Sequence, residues 1–147
     1  MPLYIVKGQI MNNNNKEIGT EFENELCDIL ATKGFWVHFI TPNKAGAQPF
    51  DIIAVKNGNA YAIDCKTCKD HIFRMERLEL NQILAFGMWK QCGNREPLVA
   101  IKHNDKVYYV EYSTLINNDG KINLKKAMTH ESYDIVYDSV LGEMVIC

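Results

Sequence analysis

Apolar positions along the chain change their period several times, and each change marks an element. From about Lys16 to Lys33, Ile18, Phe22, Leu26, Ile29 and Leu30 recur at spacings of three and four. That period gathers side chains on one face of a helix. At about 100° per residue, Glu23 falls just beside the apolar edge of this wheel and Gly19 inside it. Gly34 follows as a helix-ending glycine. Phe35 to Ile40 alternates and is rich in aromatics, which predicts a strand, and Thr41 to Gln48 reads as a loop. Two β-forming arms then flank Asn57-Gly58. After a short polar segment, Cys68 to Arg74, a second amphipathic helix is expected over about Glu76 to Cys92, with Leu80, Ile83, Leu84, Gly87 and Met88 on one side. Pro97 to His103 and Lys106 to Tyr112 read as strands joined at Asn104-Asp105, with Tyr108 and Tyr109 pointing to opposite faces and at least one of them expected to be exposed. Further on, Lys121 to Met128 suggests a short helix and Tyr133 to Tyr137 a short strand.

Residues 1–15, with the polar run Asn12 to Asn15, are expected to be a flexible lead-in. Residues 16–147 are expected to be one domain, with a core over about 16–112 and a C-terminal extension over 113–147. The order helix, strand, hairpin, helix, hairpin predicts an α/β fold with a central mixed sheet flanked by helices.

The composition of the 147 residues, 47% hydrophobic and 23% charged, is ordinary for a globular domain. No apolar run approaches the ~18 residues of a membrane span, and the start lacks the layout of a signal peptide. A cytoplasmic protein is the expectation. Five cysteines make an odd set, which fits reduced thiols better than a disulfide framework. Cys65 and Cys68 form a lone CxxC without the second ligand pair a structural zinc site wants. The histidines are scattered, with His71 the nearest to the hairpin. A net charge of −2 leaves nucleic-acid binding to a local basic rim.

The chemistry concentrates in Pro49-Phe50-Asp51 … Asp64-Cys65-Lys66. Asn-Gly is the strongest short hairpin signal, since both positions of a type I′ turn take positive φ. A turn at Asn57-Gly58 sets Asp51 opposite Asp64, where facing residues lie about 4.5–5.5 Å apart between Cβ atoms. Lys66, two residues on, shares their face, while Ile63 and Cys65 point to the other. Two carboxylates that close repel each other, and burial makes the repulsion worse. A divalent cation relieves both problems, and hard oxygen ligands suit Mg²⁺ or Mn²⁺.

These residues resemble the PD-(D/E)xK nuclease superfamily, in which an aspartate on one strand and an acidic-x-lysine on the next hold a metal and an attacking water. Here Phe50 intervenes between the proline and the aspartate. Gly19-Thr-Glu-Phe-Glu23, Lys33-Gly34-Phe35, Leu80-Asn81-Gln82-Ile83, Pro97 to Ile101 and Val107 to Val110 look like Holliday-junction resolvases of the archaeal and Gram-positive recombination type. The small size suggests a phage or mobile-element version.

The resemblance implies a restriction-endonuclease-like fold and a Mg²⁺- or Mn²⁺-dependent endodeoxyribonuclease. It also implies a homodimer that cuts opposite strands of a branched junction. It assigns catalysis to Glu23, Asp51, Asp64 and Lys66, with metal ligands Asp51, Asp64, Glu23 and the backbone carbonyl of Cys65. Glu21 and Glu25 rival Glu23 on residue type alone. DNA contacts are expected from Lys44, Lys69, Arg74 and Arg77, with Gln82 touching phosphate or supporting the site. The competing readings are a non-catalytic DNA- or protein-binding module on the same fold, such as a phage inhibitor, and a restriction or repair endonuclease acting on linear DNA.

Overall fold

The helical period of the first third belongs to a longer helix than expected. The structure, a computed structural model, describes residues 7–41, 48–129 and 132–147, with side chains from Ile18 onward except Met128. Helix α1 spans Lys7–Thr32. The lead-in expected over residues 1–15 is therefore helical from Lys7 on, and the Asn12–Asn15 run lies inside the helix. Asparagine disfavours a helix by only some tenths of a kcal/mol per residue, too little to stop one that is already propagating. Phe22, Leu26 and Leu30 are buried as their spacing predicts.

The chain continues through β1 (Trp36–Phe39), β2 (Ile52–Lys56), β3 (Asn59–Thr67), β4 (Ile72–Arg74), a 3-10 turn (Met75–Arg77) and α2 (Leu80–Gln91). It then forms β5 (Leu98–His103), β6 (Lys106–Glu111), α3 (Tyr112–Asn117), β7 (Lys121–Asn123), α4 (Leu124–Met128), β8 (Ile135–Asp138) and β9 (Glu143–Ile146). Seven strands make one sheet in the order β1-β2-β3-β5-β6-β9-β8, and β4 pairs with β7 in a separate ribbon. The β3–β5 and β6–β9 pairs are parallel and the other pairs of the large sheet antiparallel. This is the expected mixed sheet between helices. Phe22, Leu26 and Leu30 of α1 pack with Ile52, Ala54, Tyr61, Ile63 and Cys65 on one face. Phe86 of α2 packs with Phe50, Ala62, Val99 and Ile101 on the other.

The hairpin keeps the register its turn dictates. Asn57 and Gly58 have φ of 52° and 75°, and Ile52 pairs with Ile63 through to Lys56 with Asn59. Cys65 lies among the core residues of one face and Cys68 among those of the other, so the CxxC does not act as a pair.

Three expectations change. Residues 113–147 are no appendage: β9 pairs with β6, and Leu115, Ile122, Leu124, Leu141, Val145 and Ile146 are core residues. Tyr108 and Tyr109, expected to leave one ring exposed, are both buried because the sheet is covered on both faces here. Helix α2 starts later than expected, and most of its apolar side faces outward, with Ile83 packed partly on the core. Leu80, Leu84 and Met88 are 70%, 61% and 62% exposed, while Gln82 and Phe86 are buried. At about 100° per residue, the buried pair lies across the helix from the apolar stripe. Aromatic bulk from Phe86, and partly from Trp89 against Phe50, fills the space over the sheet instead.

If the C-terminal hairpin completes the core, Leu141→Ala lowers unfolding free energy by about 2–5 kcal/mol, the usual range for a fully buried leucine. Urea denaturation followed by circular dichroism measures this. A change under about 0.5 kcal/mol, typical of a surface site, would mark the segment as dispensable.

Candidate active site

Asp64 lies in the middle of β3 with no exposed surface. Alternation along the strand sends it and Lys66 toward α2, whereas Ile63 and Cys65 face α1. Two contacts define its carboxylate. Gln82 Nε2 donates to Oδ1 at 2.9 Å. Lys66 Nζ lies 3.1 Å from Oδ2, yet out of line for a hydrogen bond, so Oδ2 accepts none. Burial above all, and then the Asp51 charge, push the Asp64 carboxyl well above the usual carboxylate range, with Lys66 opposing.

Asp51, 6% exposed, sits where the β2–β3 ladder slips. Its N–H donates to the Ile63 carbonyl at 3.2 Å, although Ile63 is already the partner of Ile52. Asp51 is thus not the flat cross-strand partner of Asp64 that the register alone predicts. The chain bends there, as it does at a bulge. The carboxylate turns inward: Oδ2 accepts the Cys65 N–H at 2.7 Å and Oδ1 accepts Gln48 Nε2 at 2.5 Å. In this position Asp51 is close to Asp64 on one side and to Glu23 on the other.

Glu23 reaches the group from α1. It is half-buried, and its carboxyl is pushed up to about 7 by burial first, then by Asp51, against the pull of Lys66. Its rivals point elsewhere: Glu21 is exposed, and Glu25 pairs with Lys102 at 3.0 Å. Glu23, Asp51, Asp64 and Lys66 therefore converge from α1, the start of β2, and β3.

The donor set fits a divalent cation with open coordination positions. Among the described residues no group of three or more His, Cys, Asp and Glu side chains is placed to hold a metal ion, so Glu23 does not join Asp51 and Asp64 as a third side-chain ligand. The site instead offers two mutually repelling carboxylates, one with a buried oxygen that lacks a hydrogen bond. The carbonyl of Cys65, between Asp64 and Lys66 in the chain, is the expected third donor. Hard oxygen donors in such a number leave room for water and substrate oxygens.

The remaining expected residues divide. Lys69, Arg74 and Arg77 are exposed and line a groove of about 960 Å³ that begins at Thr67, next to Lys66. Arg77 is held there by its Nη2 donating to the Thr67 carbonyl at 2.9 Å. Lys102 lines the same groove and was not foreseen. It sits a strand away, and only the parallel β3–β5 register brings it next to Thr67. Lys44 lies outside the described residues. Gln82, grouped with the DNA contacts on sequence, is 7% exposed and bonded to Asp64 instead. Gln48 was also missed, although its place three residues before Asp51 was a local signal. Its carbonyl accepts from the Asn81 side chain on α2.

A family model described as archaeal Holliday junction resolvase (hjc) matches residues 14–138. The chain is 27% identical over 103 residues to the crossover junction endodeoxyribonuclease Hjc of Methanocaldococcus jannaschii, covering 70% of this chain and 71% of that protein. It is 31% identical over 90 residues to the crossover junction endodeoxyribonuclease Hje of Saccharolobus solfataricus, covering 60% and 65%. Among solved structures, that of Archaeoglobus fulgidus Hjc, a Holliday junction resolvase from an archaeal hyperthermophile, matches with a TM-score of 0.56 at 23% identity. That match covers 71% of this chain and 86% of the other and is a likeness of fold.

The electrostatics make stability depend on pH. A carboxyl whose pKa is higher folded than unfolded holds its proton more tightly when folded. Its contribution is therefore most favourable below the unfolded value and declines as pH rises to the folded value. For Glu23 the window runs from 4.5 to about 7, and Asp64 acts in the same direction from 3.8 upward. In chelator, the melting temperature is expected to fall from about pH 5 to about pH 7.5, and Glu23→Gln should flatten that fall. A wild-type melting temperature that rises across the same range would contradict this account.

Proposed function

The chain belongs to the archaeal Holliday junction resolvase (Hjc) family, and we propose that it cuts four-way DNA junctions as a divalent-cation-dependent endonuclease. The observation that carries this reading is the buried pair Asp51 and Asp64 beside Lys66, with Asp64 Oδ2 accepting no hydrogen bond. In this reading Asp51, Asp64 and the Cys65 carbonyl hold the cation, Mg²⁺ or Mn²⁺, and Glu23 stands beside Asp51. A cation bound there supplies Lewis-acid charge to a phosphate oxygen and makes a water acidic enough to act near neutral pH.

The chain's own groups do the remaining work. Lys66, held by Asp64 and largely shielded from solvent, presents a fixed positive charge to the negative charge that builds on the phosphate oxygens. Glu23 orients the attacking water from the α1 side. Lys69, Arg74, Arg77, Lys102 and Lys44 hold the phosphate backbone without reading bases. A net charge of −2 is compatible with this, because Lys69, Arg74, Arg77 and Lys102 share one groove beside the site, with Asp70, Glu76 and Asp105 also on its walls.

A junction has two equivalent strands to cut, so the substrate asks for two sites related by a twofold axis. The outer face of α2 supports a homodimer. Leu80, Leu84 and Met88 form an exposed apolar stripe, and a self-complementary stripe is what a twofold interface requires. Gly87 lies in the same face, where an added Cβ would meet nothing within 4 Å. A glycine inside a helix costs about 1 kcal/mol relative to alanine. No contact within the described chain requires it, whereas close approach of a second backbone would.

Two experiments test this reading. Wild type should nick a synthetic four-way junction in Mg²⁺ or Mn²⁺ and stop in chelator, with Asp64→Asn at least about 100-fold slower. Cutting of no DNA in either metal refutes the nuclease, while equal cutting of linear duplex removes the junction assignment and leaves the nuclease. Sedimentation velocity should show a dimer for wild type and a folded monomer for Leu84→Glu. A dimer that persists in Leu84→Glu moves the interface elsewhere.

A further inference from the structure

Gln82 does two things at once, and the combination is specific to an amide. Its Oε1 accepts the backbone N–H of Glu79, the residue before α2, at 2.8 Å. This is the reciprocal half of a capping box, satisfying an N–H that precedes the helix. That bond fixes which way the amide faces. A flipped amide would set its NH₂ against the Glu79 N–H and its oxygen against a carboxylate. Nε2 therefore must point at Asp64 Oδ1, 2.9 Å away. Lys66 Nζ is also 3.5 Å from Oε1, so the same side chain borders both charged groups of the β3 motif.

Capping boxes take either Glu or Gln at this position. A glutamate would cap equally well and would also complement the positive end of the helix dipole. Only glutamine caps and, in addition, donates to a buried carboxylate. At 7% exposure it has no surface to offer a phosphate.

We propose that Gln82 is a positioning residue that occupies Asp64 Oδ1 and leaves Oδ2 as the oxygen for the cation, so that it sets cation affinity and makes no DNA contact. This rests on the metal-nuclease reading above. The seating of α2 and the competence of the metal site are then one event, since the bond that starts the helix also orients the ligand. Partners of metal ligands of this kind typically change metal affinity by about 10–100-fold when removed.

The test uses Gln82→Met, which removes both bonds, and Gln82→Glu, which keeps the acceptor for the Glu79 N–H and removes the donor to Asp64. Mn²⁺ binding is measured by calorimetry without DNA, junction affinity in chelator, and cleavage across a Mn²⁺ titration. Gln82→Met should bind Mn²⁺ about 10–100-fold more weakly, bind the junction as wild type does, and regain kcat as Mn²⁺ is raised. Gln82→Glu, which keeps the helix cap, should also shift Mn²⁺ affinity from that of wild type by at least about 10-fold, so that the cation senses the loss of the donor to Asp64 and not the loss of the cap. Wild-type Mn²⁺ affinity in both variants overturns the proposal, as does weakened junction binding in chelator with cation affinity unchanged. Absence of Mn²⁺ binding by the wild type would instead overturn the nuclease reading beneath it.

Discussion

A carboxylate without exposed surface in the middle of a β-sheet is the constraint around which this molecule is arranged. Burying an ionised group is expensive unless it is paired and hydrogen-bonded, and Asp64 receives only part of that compensation. Gln82 serves one oxygen and Lys66 approaches the other out of line. Nearby, Asp51 takes the Cys65 N–H and the Gln48 amide, so its position depends on the same stretch of β3. Three elements converge on the deficit: the bent start of β2, the first turn of α2, and the face of α1 that carries Glu23. The hydrophobic core holds them in place on both sides of the sheet. The local instability is affordable because the surrounding layers are well packed.

How much of this could be read in advance depended on whether the signal was local. Asn57-Gly58 specifies its turn through backbone sterics alone, so the hairpin register, and with it the pairing of Ile52 with Ile63, followed from two residues. The slip at Asp51 did not, because it depends on a hydrogen bond to a strand that the turn does not mention. Helix α1 was visible from its period, but its extent was not, since a propensity of some tenths of a kcal/mol competes poorly with propagation.

Helix α2 is the instructive miss. Its apolar residues share one side, as their spacing predicts, but only Ile83 of them packs partly on the core while Leu80, Leu84 and Met88 face outward. The helix is in fact rotated so that an amide, Gln82, and an aromatic ring, Phe86, look inward. Periodicity reports that a helix has an apolar side, not that this side meets its own chain. A polar residue whose burial is required by a ligand-holding carboxylate, together with large rings that fill the sheet face, can reverse the orientation. The basic groove was half legible for a similar reason. Lys69, Arg74 and Arg77 are near in sequence, whereas Lys102 arrives only through the parallel pairing of β3 with β5.

The C-terminal hairpin has a kinetic consequence. Lys33, at the end of α1, bonds to Glu143, 110 positions away, and its ammonium also donates to the Leu141 carbonyl. Leu141 and Val145 share the core layer on which Phe22, Leu26 and Leu30 of α1 rest. Contacts of such long sequence separation must overcome loop-closure entropy before they return any stabilisation, and they form late. The ties from Lys33 to the C-terminal hairpin therefore belong to the slow, non-local part of folding, whereas α1 meets β2 and β3 across much shorter loops.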